Sequence, residues 1–402
     1  MQGSLTFASS SLLSLLLLQP ALARDNVGDL NASYLEAGDF SGSYKVVGKS
    51  KIPVSIAVGG FIKTVMIIDT DSQREDTYFR PSLLTANDRK GNTQINANFS
   101  RWYLDGRATL DNDQGQVRGY LESDFYQGSY RLRHAFMSWG KANYQITAGQ
   151  TWTTFLDVSA FPEMVYELGP AGGILLRQGQ IRLSHNFRDN MQYSLALENP
   201  NSADVERLTA TLSSIEKLPD VTANFRWQVD ASVHLQFSAL IRQLAFDDAT
   251  NDINDTAMAV ATHVSGAWTL DNNDKLAWSF LYGDGIGRYL IGASAYGGGN
   301  AAYIDNTNLE TRTAMGGYIS YKHFWSDKWR SSLVAGLSDQ DKVKTTVFSN
   351  DNFESAYFVS INAFWHPNKV INTGLELSYG EADFTGMDSR DNSRIAFVIQ
   401  LF

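Results

Sequence analysis

The chain has 402 residues, a formal net charge of -10 and no cysteine. With 43% hydrophobic and 12% aromatic residues it is too apolar for a disordered protein and long enough for a large core. The acidic balance gives no general attraction to nucleic acid, whose binding relies on basic surfaces. The absence of cysteine excludes disulfides, thiolate metal sites and a cysteine nucleophile.

The N-terminal residues have the pattern of an export signal. A leucine-rich run over 12–18 precedes ALA at 21–23, a small-x-small cleavage pattern. We therefore predict a signal peptide over 1–23, followed by a short periplasmic segment over 24–50. A buried N-terminal helix is the alternative. The sequence beyond this region has no run of about 18 apolar residues, the length that a membrane helix requires.

The remaining chain, 51–402, alternates with a period of two residues. In its early part Trp102 and Leu104 share one phase while Arg101 and Asp105 share the other. The same alternation recurs in three further stretches: 115–126, 221–227 and 275–282. Alternation of this kind is typical of β-strands with an apolar side and a polar side.

The connections between these strands are of two kinds. Short polar turns cover 110–115, 140–143, 188–190, 270–275, 325–329 and 366–369. Longer loops mostly alternate with them, over 70–96, 152–178, 199–219, 245–256, 284–310, 340–353 and 381–391. Short and long connections then lie at opposite ends of one sheet.

The strand count favours closure of that sheet. We count about 16 strands, an even number with both chain ends on the short-turn side. An open sheet of this size would expose two long edges. A water-soluble β-sandwich also alternates, but the turn pattern favours an all-β, transmembrane, antiparallel up-and-down β-barrel that encloses water.

Aromatic residues end several of the apolar faces: Trp139, Trp227, Phe324, Trp325, Trp329 and Trp365. Many lie beside the short turns, as expected of the aromatic girdles at a lipid boundary. The alternative is that they are ordinary core aromatics.

Eight arginines fall on the polar phase of their strands: Arg101, Arg107, Arg118, Arg131, Arg133, Arg182, Arg226 and Arg242. A water-filled lumen would screen such a row, and arginine binds a carboxylate with a planar two-point fork. We predict that they line the pore and bind solute. The alternative is that they pair with Asp105, Glu122 and Asp124 to hold the wall.

The stretch YRLRHAF illustrates this interpretation. We predict that Arg131 and Arg133 point into the lumen and that Leu132 and Phe136 face lipid. His134 then falls on the apolar side, near the headgroups or a neighbouring subunit.

The segment 151–178 lacks alternation but carries much apolar surface. We predict that it folds inward as a constriction loop and sets Asp157, Glu163 and Glu167 opposite the arginines, which would create a transverse field. The alternative is an external loop packed between subunits.

Several motifs resemble those of a known family: DFSGSYKVVGKSKIPVSIAVGGFIK at 39–63, SRW at 100–102, YRLRHAF at 130–136, AGQTWTTFLD at 148–157 and FPEMVYELGPAGGILLRQGQIRLS at 161–184. In these stretches, and in its terminal Phe402, the chain resembles the DcaP-like porins. The resemblance implies a trimeric channel in the outer membrane of a Gram-negative bacterium that passes small organic acids, dicarboxylates in particular.

We therefore predict a porin for passive diffusion of small anions, with outer-membrane lipid and lipopolysaccharide as neighbours and with no cofactor or metal site. A non-selective or cation-preferring porin is the alternative. An outer-membrane enzyme such as a lipase would need an outward serine and histidine, and although His134 and His185 lie on the apolar phase, neither has a clear serine partner. A structural anchor would be expected to have a smaller, plugged barrel.

Overall fold

The structure is a computed structural model. It describes residues 44–47, 52–71, 79, 81, 84, 90–165, 169–200, 205, 213–248, 250–291, 301–305, 308–342, 352–386 and 388–402. The predicted signal peptide, most of the segment 24–50, and Glu167 lie outside the described residues.

The described part of the chain is almost entirely β-structure. Its strands are β1 Tyr44–Val47, β2 Pro53–Asp71, β3 Lys90–Asn96, β4 Arg101–Thr109, β5 Gln116–Asp124, β6 Arg131–Lys141, β7 Tyr144–Trp152, β8 Arg177–Arg188, β9 Met191–Glu198, β10 Ser213–Ser214, β11 Asp220–Gln228, β12 Val233–Asp248, β13 Ile253–Thr269, β14 Lys275–Asp284, β15 Ala302–Asp305, β16 Asn308–Thr311, β17 Thr313–Phe324, β18 Trp329–Gln340, β19 Phe353–Trp365, β20 Ile371–Phe384 and β21 Arg390–Leu401. Short 3₁₀ helices cover Tyr126–Gly128, Val158–Ala160 and Gly287–Tyr289.

The strands close into a barrel through antiparallel pairing of neighbours along the chain. β21 pairs back onto β2, with Leu401 opposite Ile62, and this pairing removes both edges. β3 and β4 pair with the two halves of β2 and together occupy one strand position. The ring thus has 16 strand positions, which confirms the predicted closed barrel.

The alternation places apolar residues on the outer face, whereas the inner face carries most of the charged and polar residues together with a buried apolar cluster. On β21, Ile395, Phe397 and Ile399 are 41–48% exposed, whereas the intervening Arg394 and Ala396 are at most 1% exposed. In a lipid bilayer the exposed apolar face contacts hydrocarbon. The described residues include no helix with the length and hydropathy needed to cross a membrane.

The predicted aromatic girdle is present beside the short turns. Trp139, Trp325, Trp329 and Trp365 are 39–68% exposed on the outer face, and the rings of Trp329 and Trp365 stack at 5.9 Å. Trp227 is half-buried. Their outward direction excludes the alternative that they are core residues.

Two predicted long loops are shorter in the structure. β12 and β13 pair without interruption up to Asp248 opposite Ile253, so the predicted loop over 245–256 is mostly strand. Its Asp and Asn content is typical of a loop. However, Leu244, Phe246 and Ala259 pack on the hairpin formed by β15 and β16, and this buried cluster supports the extension. β20 likewise continues to Phe384, into the predicted loop over 381–391.

The connection between β7 and β8 folds into the barrel, as predicted. Its base is closed by the amide of Thr153, which donates to the carbonyl of Leu176 at 3.0 Å. Phe155 and Val165 are fully buried in the interior cluster. At Gly172, where φ is +81°, an added Cβ would lie 1.9 Å from the carbonyl oxygen of Leu337 on β18. The segment therefore lies directly against the backbone of the wall, and only glycine fits there.

Candidate functional site

Five of the predicted arginines meet on the inner face of β4, β5 and β6. We call Arg101, Arg107, Arg118, Arg131 and Arg133, with the carboxylates Asp105, Glu122 and Asp124, the arginine cluster. The three strands are consecutive and antiparallel, so inward positions on each come side by side.

Asp105 bridges two of these arginines. Its oxygens accept from Arg107 at 3.1 and 2.7 Å and from Arg118 at 3.0 and 2.8 Å. Both contacts are two-point forks, which fix the plane of each guanidinium group. The guanidinium of Arg118 also lies 4.9 Å from the ring centre of Tyr120. These contacts hold both arginines against the wall.

Glu122 and Asp124 hold the other three arginines. Arg133 donates to Glu122 at 2.6 Å and to Asp124 at 3.0 Å, and Arg131 makes a two-point contact with Asp124 at 2.9 and 2.5 Å. Arg101 lies 3.5 Å from Glu122. These contacts agree with the alternative interpretation, in which the arginines stabilise the barrel wall through ion pairs with Asp105, Glu122 and Asp124.

A β-bulge corrects part of the prediction for YRLRHAF. The register shifts so that Glu122 is opposite His134 and the next residue, Ser123, is opposite Leu132. Arg133 is the extra residue, and both it and His134 therefore lie inside the barrel. His134 is fully buried, with Nδ1 3.1 Å from Oγ1 of Thr151.

The bulge also redirects Phe136. It is 7% exposed and packs against Tyr120, with the ring centres 5.6 Å apart. The expectations that Phe136 faces lipid and that His134 lies on the outer, apolar side were wrong, because a single inserted residue exchanges the two faces from that point onward. Leu132, at 40% exposure, does face outward.

The arginine cluster carries an excess of positive charge. Among these eight side chains five arginines share three carboxylates, so arginine outnumbers carboxylate in the cluster. Arg107, Arg118 and Arg131 retain 19%, 15% and 30% side-chain exposure, whereas Arg101 and Arg133 are buried. The three exposed side chains are the ones that a solute could reach.

The other three predicted arginines lie apart from the cluster. Arg182 donates to the carbonyl of Trp152 and to Gln180. Arg226 donates to the hydroxyl of Ser159 at 3.0 Å, and the fully buried Arg242 donates to the backbone carbonyls of 285 and 286. All three brace connections that fold into the barrel.

Asp157 of the constriction segment is buried against the wall. Its carboxylate lies 2.9 Å from Nε2 of His234 and accepts from Ser265 at 3.0 Å, with Arg226 at 3.5 Å. Burial alone would raise the pKa of Asp157, but the hydrogen bond and charge of His234 and the charge of Arg226 hold it well below its ordinary value.

Glu163 is held in the same way by β17 and β18. Arg330 contacts both of its oxygens at 2.6–3.0 Å, and Lys322 lies at 3.0 Å. Burial opposes ionisation, yet Lys322 and Arg330 outweigh it and keep the pKa of Glu163 well below its ordinary value. The amide of Val165 donates to Glu376 at 2.9 Å, which fixes the next turn of the segment.

These contacts differ from the predicted transverse field. Asp157 and Glu163 do not face the arginine cluster across open water but are buried in ion pairs with other strands. A buried carboxylate requires such partners, because an unpaired charge inside the barrel is costly.

Sequence reasoning missed Lys322, Arg330, Glu376 and Glu198. Glu198 accepts hydrogen bonds from Thr153 at 2.7 Å and from the amide of Thr154 at 2.7 Å. All four missed residues lie on the polar phase of their strands. The same alternation that singled out the first arginines could have found them as inward groups, although not as partners of the constriction segment.

The closed barrel, its short turns at one end, its apolar outer face and its charged inner face define a porin-type outer-membrane channel. The family model described as DcaP outer membrane protein matches residues 85–400. The chain therefore belongs to the DcaP family of outer-membrane channels.

Solved structures agree on the fold. The outer membrane channel DcaP of Acinetobacter baumannii is similar with a TM-score of 0.77 and 19% identity over 89% of this chain and 99% of that one. An anion-selective porin from Comamonas acidovorans has a TM-score of 0.59 and 7% identity over 87% and 99% of the two chains. OmpT of Vibrio cholerae in a trimer form has a TM-score of 0.55 and 13% identity over 86% and 99%.

A comparison with curated protein sequences returns no match. The family is described as an outer membrane protein, and two of these structures are described as a channel and a porin.

Proposed function

We propose that the chain is a porin for passive diffusion of small anionic solutes, with dicarboxylates or related organic acids as its main substrates. The observation that carries the proposal is a group of three partly exposed arginines, Arg107, Arg118 and Arg131, on one inner wall. In a narrow water-filled passage, a wall of one sign concentrates ions of the other sign.

Arginine chemistry supports carboxylates within the anions. Arg107, Arg118 and Arg131 are partly exposed, and each holds its guanidinium in a fixed plane through contacts with the wall. A carboxylate that approaches this wall finds planar donors already oriented, so binding requires little reordering. Because Arg107 and Arg118 share Asp105 while Arg131 contacts Asp124, each guanidinium keeps a carboxylate contact, and contacts with solute are weak enough for release, as conduction requires.

The proposal extends to assembly and processing. One similar structure is an OmpT described in a trimer form, and we propose a homotrimer for this chain as well. We also propose cleavage of the signal peptide after residue 23. Light scattering of the detergent-purified protein would measure the first, and N-terminal sequencing of the mature protein the second.

The test of selectivity is the reversal potential in planar bilayers under a potassium chloride gradient. We expect a reversal potential that shows preference for chloride over potassium. We also expect proteoliposomes to swell faster in dicarboxylates than in neutral solutes of equal size. The variant Asp105→Asn/Arg107→Gln/Arg118→Gln removes one net positive charge without leaving an unpaired carboxylate. It should reduce chloride preference by roughly tenfold, at the low end of the focusing effects of charged clefts.

The matched control is Lys141→Gln, which removes a positive charge from the short-turn end, where Lys141 is 46% exposed. It should leave selectivity unchanged. Cation preference of the unaltered protein, or an equal change in both variants, would contradict the anion proposal.

A non-selective or cation-preferring porin is the second candidate. It is favoured by the pairing of each clustered arginine with a carboxylate and by the net charge of -10. The same reversal potential distinguishes the two candidate functions. A value near zero, or one that shows preference for potassium, supports the non-selective or cation-preferring porin.

A further inference from the structure

A cavity of about 320 Å³ opens on the outer face of the barrel where β17 and β18 approach their short turn. Leu333 and Ile361 line its apolar part, and His323, Trp325 and Ser331 line its polar part. Its volume is within the roughly 300–1,000 Å³ of small-molecule sites.

The polar part is organised by a buried carboxylate. Asp274, which is fully buried in the turn between β13 and β14, lies 2.7 Å from Nδ1 of His323 and accepts the amide of Phe324 at 3.0 Å. Tyr321 also donates its hydroxyl to this carboxylate. The carboxylate favours the tautomer with the proton on Nδ1, which leaves Nε2 as an acceptor. Nε2 of His323 has no hydrogen-bond partner among the described residues.

Ser331 supplies a second polar group beside His323. The two residues are directly opposite each other on β18 and β17, and both face outward. The indole Nε1 of Trp325 donates to Oγ of Ser331 at 2.9 Å, so the hydroxyl proton of the serine remains able to donate. The ring of Trp325 lies edge-on to His323 at 4.3 Å.

This pair bears on the enzyme hypothesis. An outward histidine held by an aspartate, with a serine across the strand, has the residue types of a hydrolase triad. Nucleophilic chemistry requires a hydrogen bond between the serine and the imidazole, but here the serine accepts from Trp325. The geometry therefore favours binding at this site.

We propose that the cavity binds a diacyl phospholipid of the periplasmic leaflet. The hydroxyl of Ser331 would donate to its phosphate, and Nε2 of His323 would accept from the ammonium or hydroxyl group of the headgroup. One acyl chain would lie along Leu333 and Ile361. The order of the lining supports this occupant, because the polar groups lie beside the short turn and the apolar ones lie farther into the membrane. Short turns of such barrels face the periplasm, and tryptophan marks the boundary of the lipid. This proposal depends on the short turns facing the periplasm. It does not depend on which solute the channel carries.

Native mass spectrometry of the detergent-purified protein, titrated with phosphatidylethanolamine or phosphatidylglycerol, tests the proposal. The double variant His323→Ala/Ser331→Ala should weaken phospholipid binding roughly tenfold, the loss expected for hydrogen bonds to a charged group. Leu333→Trp keeps every polar group but fills the apolar part, and it should weaken binding to a similar extent. Since Leu333 is 56% exposed on the outer face, this variant should preserve the fold.

Two matched controls are available. His185 is the other half-buried histidine on the outer face, and it stacks on Tyr144 at 4.1 Å, with no carboxylate partner in the part of the chain that the structure describes. Leu337 lies four residues from Leu333 on the same face of β18 and is 50% exposed, outside the cavity. Neither His185→Ala nor Leu337→Trp should change lipid binding.

Equal losses in the controls would mean unspecific boundary lipid and would overturn the site. Unchanged binding in both test variants, or retention of lipopolysaccharide in place of phospholipid, would also overturn it. Release of fatty acid from the bound phospholipid that depends on Ser331 would replace binding by hydrolysis.

Discussion

Two inner walls of this barrel carry the same residue types but differ in what covers them. On β4 to β6, the carboxylates that hold the arginines come from the same strands, and Arg131 keeps 30% side-chain exposure. On β17 and β18, the carboxylate is Glu163 of the constriction segment, and Arg330 keeps only 5%. One wall remains open to the passage, whereas the other is covered.

The difference shows that the role of an inward arginine depends on whether its carboxylate partner lies on the same wall or on the constriction segment. A partner on the same wall holds the arginine in place and leaves part of its side chain exposed, so that a solute can reach Arg107, Arg118 and Arg131. When the carboxylate lies on the constriction segment, as Glu163 does, the arginine anchors that segment to the wall. Gly172, which lies against the backbone of β18, shows how closely the segment follows the covered wall.

The largest expected effect comes from breaking the anchor. Arg330→Ala leaves Glu163 buried beside Lys322 alone, and removing one partner of a buried pair costs about 3–5 kcal/mol. We expect the constriction segment to detach, with a lower melting temperature and a larger, noisier single-channel conductance. Both are measured on the purified protein, by thermal unfolding and in planar bilayers.

Arg330→Met combined with Glu163→Met and Lys322→Met is the control, because it removes all three charges of this contact together. It should recover most of the lost stability. An Arg330→Ala protein with unaltered conductance and melting temperature would contradict the anchoring role.

A smaller effect should follow from changing the open wall. Asp105→Asn keeps the size of the side chain but raises the excess of positive charge by one, beside the partly exposed Arg107 and Arg118. We expect stability to fall by about 1–3 kcal/mol, the cost of hydrogen bonds to charged groups, and the reversal potential to move further toward chloride. Asp113→Asn, on a short turn where Asp113 is 96% exposed, is the control and should change neither. A shift toward potassium would contradict our interpretation of this wall.

The sequence was sufficient to predict the closed barrel, its strand number and the inward phase of the arginines. These properties depend on the two-residue period and on the alternation of short and long connections, both of which are local. The inward fold of the constriction segment was also predictable, because Phe155 and Val165 require burial.

The bulge and the partners of the constriction segment were not predictable in this way. YRLRHAF alternates equally well with or without an extra residue, and only the register against Glu122 and Ser123 reveals the bulge. Glu163 and Arg330 are 167 residues apart in the chain, so no local pattern relates them. Local periodicity predicts whether a side chain lies on the inner or the outer face of the barrel, but not which group it contacts.

The smallest expected effect is a dependence of the melting temperature on acidic pH that arises from the covered wall. Glu163 lies in a connection and has a pKa held below its ordinary value of 4.5, because Lys322 and Arg330 outweigh burial. A depressed folded-state pKa stabilises the fold above the unfolded pKa, and this stability is lost as pH falls. We therefore expect the melting temperature to be flat from pH 7 to about pH 5 and to decrease below about pH 4.5. Glu163→Gln should melt lower at neutral pH and lose part of the acid decrease, whereas Asp113→Asn should reproduce the unaltered profile. An equal acid decrease with and without Glu163 would assign that dependence to other carboxylates and remove Glu163 as the acid-sensitive contact of the covered wall.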